Sequence, residues 1–207
     1  MAVPLLDVVA QNRALESELK DAFRRVLRSG HYILGSEVQL FEKEMATRCG
    51  VAHGIGTSSG TDALLLALLS LGIGPGDEVL CPSFTFFATA GSIARAGATP
   101  VFVYILADSW CIDPAAAESA ITPKTRAIIA THIYGNLCDM DALLAVADRH
   151  GIALIEDAAE AIGSVYKGKR AGSMGRFSTF SFHGTKTMTT GEGGMFVTND
   201  TELFEKV

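Results

Sequence analysis

Short apolar runs alternate with helical stretches along most of the chain, and this alternation limits the fold more than any other feature. Residues 126–132 (RAIIATH) and 153–155 (ALI) are continuous apolar runs of strand length, the pattern of strands buried on both faces. Further strands are expected at 51–56, 78–81, 100–105, 177–182 and 195–198. Helices are expected at 15–27 (ended by Gly30), 36–48, 62–71, 86–96, 112–120, 139–150 and from 201 onward. Ser36 and Gln39 have the spacing of a capping box, and Asp139 or Asp141 caps the helix that runs to His150. Strands separated by helices predict an α/β fold with a mostly parallel central sheet and helices on both faces. Ligands of such sheets bind outside the carboxyl ends of the strands.

Composition removes several function classes. The chain has 207 residues, 48% hydrophobic and 19% charged, with a net charge of −6. That is a globular balance, and its Lys and Arg residues are scattered, which predicts neither a nucleic-acid nor a membrane partner. The opening MAVPLLDVVAQN has no basic start followed by a long apolar run, and residues 63–71 are too few to span a bilayer. The expectation is a cytoplasmic protein. Cys49, Cys81, Cys111 and Cys138 lie too far apart for a CxxC pair and read as buried, reduced thiols.

Four segments at strand ends can carry chemistry. Ser59-Gly60-Thr61 opens a helix, where free N–H groups and the helix dipole suit a phosphate. An ordinary Ser-capped helix start would look the same. In Pro82-Ser83-Phe84-Thr85-Phe86-Phe87 the aromatics serve either core packing or a ligand face. Ile155-Glu156-Asp157-Ala158-Ala159-Glu160 sets carboxylates at the end of an apolar strand, where an unpaired charge is costly; Asp157 could equally cap a helix. The stretch SFHGTKTMTTGEGG (181–194) puts Lys186 in a small, polar, Gly-rich loop between two apolar strands. Low polarity nearby would favour the neutral amine that Schiff-base chemistry needs, while a surface loop lysine is the plain alternative.

Taken in order, GTSSGTDAL, PSFTFFAT, IEDAAEA and SFHGTKTMTTGEGG resemble the DegT/DnrJ/EryC1/StrS sugar aminotransferases, over essentially the whole chain. The resemblance implies the large domain of the fold-type I transferases that use pyridoxal 5'-phosphate (PLP). It implies that residues 1–207 are the N-terminal segment and cofactor-binding large domain, with a small C-terminal domain outside the chain. Lys186 matches the Schiff-base lysine, Asp157 the carboxylate that keeps the pyridine nitrogen protonated, and Phe86 the aromatic on the ring face. Ser59, Gly60, Thr61 and Ser181 match the phosphate cradle. The implied reaction moves an amino group from glutamate to a nucleotide-linked 4-keto-6-deoxy sugar, in a homodimer with shared active sites.

Two positions depart from the family pattern. Glu160 stands near the ring phenolate oxygen where many relatives carry Gln, and resembles the branch making 4-amino-4,6-dideoxy sugars. Tyr104-Ile105-Leu106 replaces an acidic strand end. A PLP-dependent sugar dehydratase of the same fold tends to carry His at the lysine position, which Lys186 argues against. A truncated, non-catalytic module is the alternative outside enzymology.

Overall fold

The computed structural model describes residues 6–207, so part of the opening stretch read for a leader lies outside it. Its helices are α1 (Val8–Arg13), α2 (Glu16–Ser29), α3 (Ser36–Cys49), α4 (Gly60–Ser70), α5 (Phe87–Arg95), α6 (Pro114–Ser119), α7 (Met140–His150) and α8 (Thr201–Phe204). Its strands are β1 (His53–Thr57), β2 (Glu78–Pro82), β3 (Thr99–Val103), β4 (Thr125–Thr131), β5 (Ala153–Asp157), β6 (Val165–Tyr166), β7 (Lys169–Arg170), β8 (Phe177–Ser181) and β9 (Gly194–Thr198). Seven strands form one sheet in the order β1-β9-β8-β5-β4-β2-β3. The pairs β3/β2, β2/β4, β4/β5 and β5/β8 are parallel, while β9 runs antiparallel to both β8 and β1. The α/β architecture with a mostly parallel sheet is the one expected from the sequence.

The apolar runs alternate in space even where they do not alternate in character. Val79, Ile129, Ile155 and Phe177 join the core under α4 and α5, whereas Leu80, Ile128 and Leu154 join the core with α7. A third core gathers Met45 and Cys49 of α3 with Phe180, Phe182, Met195 and Val197. All four cysteines are buried and free. Helix α2 keeps its expected apolar stripe, but Leu15, Leu19, Phe23 and Leu27 are exposed among the described residues. No helix of those residues is long and apolar enough to cross a membrane.

Several boundaries differ from the sequence expectation. The N-cap of α3 is Gly35, not Ser36, and no side chain caps it. The backbone packs so closely there that a Cβ on residue 35 would stand 2.8 Å from the His31 carbonyl oxygen. With Gly35 at the N-cap, the expected capping box is not formed. Strand β3 stops at Val103, and Ile105 instead forms an isolated bridge with Ile112, leaving Tyr104 exposed. The β6–β7 hairpin escaped the sequence pattern because its strands are two residues each. Lys167 and Gly168 both have positive φ, as a tight two-residue hairpin turn requires.

Candidate active site

The parallel strands deliver their carboxyl ends to one side of the sheet. Asp157 closes β5, Ser181 closes β8, and Thr131 closes β4 beside His132, while Ser59 follows β1. A cavity of about 430 Å³ lies there. Ser59, Gly60, Thr61, Phe86, Asp157, Glu160, Ser181 and Lys186 all line it. Every site residue expected from the sequence thus faces one space, although the segments span 59–186 in the chain.

Close backbone approach builds the end at α4. A Cβ on Gly60 would sit 2.8 Å from Ser181 Cβ, and one on Gly194 would sit 2.3 Å from the Ser59 carbonyl carbon. Only glycine lets the start of α4, the end of β8 and the start of β9 converge. The Ser59 hydroxyl accepts from the Asp62 N–H at 3.1 Å and donates to the Asp62 carboxylate at 3.0 Å. Ser59 is therefore a true N-cap as well as a cavity residue, and the two readings of that motif coexist.

Asp157 is buried and accepts from Thr89 Oγ1 at 2.9 Å and from the Ala159 N–H at 3.2 Å. Burial pushes its carboxyl above the usual range, and the Thr89 bond, the Ala159 N–H and the Lys186 charge offset this only in part. Opposite, Lys186 Nζ donates to Glu160 Oε1 at 3.0 Å and stands 5.9 Å from the Phe86 ring centroid. Glu160 Oε2 also accepts from the Tyr134 N–H at 2.8 Å. Tyr134 holds φ near 53°, an unusual value for a residue with a side chain, at the point where this loop reaches Glu160. His183 also lines the cavity, and its Nδ1 lies 3.2 Å from Thr185 Oγ1.

Glu156 and His132 form the buried pair that sequence reading passed over. Glu156 accepts from the N–H groups of Gly172, Met174 and Gly175, from Ser178 Oγ and from His132 Nε2, at 2.6–3.1 Å. Burial pushes Glu156 up, but the His132 hydrogen bond and the backbone donors outweigh it and hold the carboxyl below its ordinary value. The Cys138 N–H donates to His132 Nδ1 at 3.3 Å, so the ring proton belongs on Nε2. The signal was available. Adjacent residues on a strand face opposite ways, so Glu156 and Asp157 could not both serve one ligand.

The family model for the DegT/DnrJ/EryC1/StrS aminotransferase family matches residues 13–207. The chain belongs to that family. It is 51% identical to the "Pleiotropic regulatory protein" of Geobacillus stearothermophilus, over 100% of this chain and 56% of that protein. It is 52% identical to the "GDP-perosamine synthase" of Caulobacter vibrioides, over 84% of this chain and 47% of that protein. Among solved structures, S. venezuelae DesV in complex with a ketimine intermediate superposes with a TM-score of 0.96. The identity there is 48%, over 99% of this chain and 55% of DesV. The chain spans about half the length of the relatives it matches.

Proposed function

We propose that this site binds pyridoxal 5'-phosphate through Lys186, and that the protein moves an amino group from glutamate to a nucleotide-linked 4-keto-6-deoxy sugar. The observation that carries the reading is the pairing of Lys186 with Glu160 at 3.0 Å, in the same cavity as the buried Asp157. The donor set fits the cofactor. The N-terminus of α4 with Ser59, Gly60, Thr61 and Ser181 suits a phosphate. Asp157 offers a carboxylate to a ring nitrogen, and Phe86 offers an aromatic face. Bound there, the cofactor supplies an aldehyde for amines and an electron-withdrawing ring.

The chain's own residues divide the remaining work. Lys186 offers its amine to the cofactor and afterwards carries protons at Nζ. Glu160 orients that amine and can exchange a proton with it across their shared hydrogen bond. Asp157 holds the ring proton. In this reading residues 1–207 are the N-terminal segment and large domain of a longer cytoplasmic enzyme that works as a homodimer with shared sites. A sugar dehydratase of the same fold is disfavoured by Lys186. A regulatory relative at 51% identity keeps the non-catalytic module as a second reading. Amino transfer from glutamate to a nucleotide keto-sugar by the intact protein separates the two.

The cradle gives the first test. Single changes Ser59→Ala, Thr61→Ala and Ser181→Ala should each cost about 1–3 kcal/mol of cofactor affinity, the range for a hydrogen bond to a charged group. Because Ser59 also caps α4, its change should cost roughly 1 kcal/mol of stability in urea melts, which the Thr61 change should not. Unchanged dissociation constants for all three would put the phosphate elsewhere.

Glu160 gives the second. Glu160→Gln keeps a hydrogen-bonding group beside Lys186 but removes the anion. An anion favours the protonated form of any base beside it. The pH midpoint of the bound cofactor's visible spectrum should therefore move down, while binding and part of the activity survive. Titration curves that superimpose on the parent's would leave Glu160 an ordinary carboxylate at a turn.

A further inference from the structure

The two threonines of PSFTFFAT take no part in the cradle, the ring face or the lysine. Thr89 lies on α5, wholly buried, with its hydroxyl donating to Asp157 Oδ2 at 2.9 Å. Thr85 precedes α5, and its Oγ1 stands 2.8 Å from Thr89 Oγ1 and 3.3 Å from Thr131 Oγ1. A hydroxyl carries one proton. With Thr89 committed to Asp157, the one proton of Thr85 serves Thr89 at 2.8 Å or Thr131 at 3.3 Å, Thr89 being the nearer. The three hydroxyls thus form a chain from the end of β4, across the start of α5, to the end of β5. Thr131 opens on the cavity itself. We propose that Thr89, backed by Thr85, is a positioning residue that fixes the Asp157 carboxylate and supports its charged form.

The geometry leaves Asp157 dependent on this contact. Its other hydrogen-bond donor is the Ala159 N–H, which serves Oδ1 at 3.2 Å. Oδ2 therefore owes its orientation to Thr89. A hydrogen bond to a carboxylate favours the ionised form, and Thr89 comes first among the influences that oppose the upward push of burial. The charged or titratable groups around Asp157 are His132 beyond β4, Lys186 from the loop after β8, and Glu160 after β5. None of them hydrogen-bonds to its carboxylate, so none replaces Thr89.

The inference rests on the proposed role of Asp157, and its test keeps the two apart. Valine matches threonine in shape and lacks the hydroxyl; serine keeps the hydroxyl and lacks the methyl. In the intact protein, Thr89→Val should weaken binding of pyridoxal 5'-phosphate by about 10- to 100-fold, the size of one lost hydrogen bond to a charged group. Thr89→Ser should restore binding to within a few-fold of the parent. Thr85→Val should have the same sign and a smaller size. Urea melts of the cofactor-free variants check folding, and serine serves as the folded reference if valine unfolds. A valine variant that binds like the parent, or a serine variant that fails like valine, would overturn the positioning role. A parent protein that gives no visible band on adding the cofactor would instead overturn the reading of the site.

Discussion

Lys186→Ala is expected to remove the visible absorption band that forms when pyridoxal 5'-phosphate is added, and to lower amino transfer by about 10⁴-fold, the upper range for one positioned proton carrier. The expectation comes from where Lys186 stands. Its Nζ is 3.0 Å from Glu160 and 5.9 Å from the Phe86 ring centroid, inside the cavity that also holds Asp157. Arginine should not rescue the loss, because a guanidinium stays charged and cannot offer a neutral amine. The fold should tolerate the alanine. Removing the lysine ends one ion pair whose members are partly exposed, a change of about 1 kcal/mol or less in a urea melt. A variant that keeps the band and the turnover would remove Lys186 from the chemistry.

Asp157→Asn should separate stability from function. With the cofactor, turnover should fall by about 100-fold or more, because the amide keeps the shape but not the charge that holds a ring proton. Without the cofactor the substitution should be neutral or favourable. Burial raises the Asp157 carboxyl above its ordinary value, so ionising it opposes folding. The sign is fixed by linkage. At pH below the ordinary carboxylate range the group is neutral in both states and costs nothing. As pH rises through that range the unfolded chain ionises first, and the native state loses relative stability until the raised folded value is passed. The asparagine amide can donate to Thr89 Oγ1 while its oxygen accepts from the Ala159 N–H, with the Thr89 proton turning to Thr85 Oγ1 2.8 Å away. Urea melts of the cofactor-free proteins at about pH 5 and pH 8 should show the asparagine variant gaining on the parent as pH rises. A parent that gains relative to the variant would mean that the carboxylate is better compensated than the geometry indicates.

Much of this arrangement was legible in the chain, for identifiable reasons. Apolar runs such as 126–132 and 153–155 mark strands wherever they sit, and the Gly-rich stretch around Lys186 marks a loop before any partner is known. The motifs at 59–61, 157–160 and 181–186 all fall at strand ends, and the parallel sheet then brings strand ends together. What stayed hidden depends on three-dimensional neighbours. Glu160 meets Lys186 only because the turn after β5 and the loop after β8 fold over the same cavity. His132 and Glu156 pair because β4 and β5 are adjacent in the sheet, which no local pattern announces. Ser36 does not cap α3 because it is already the first helical residue, with Gly35 at the N-cap, a one-residue shift that the Ser-to-Gln spacing does not reveal. Tyr104 leaves its strand early, and nothing in the structure assigns it a task.

The central claim is that Lys186 is the lysine that takes the cofactor. The direct measurement is to add pyridoxal 5'-phosphate to the intact protein, reduce with borohydride, digest, and locate the phosphopyridoxyl group by peptide mass spectrometry. The account predicts a single stoichiometric label on the peptide that holds Lys186. Label on another lysine such as Lys167, or no stoichiometric label at all, would contradict it.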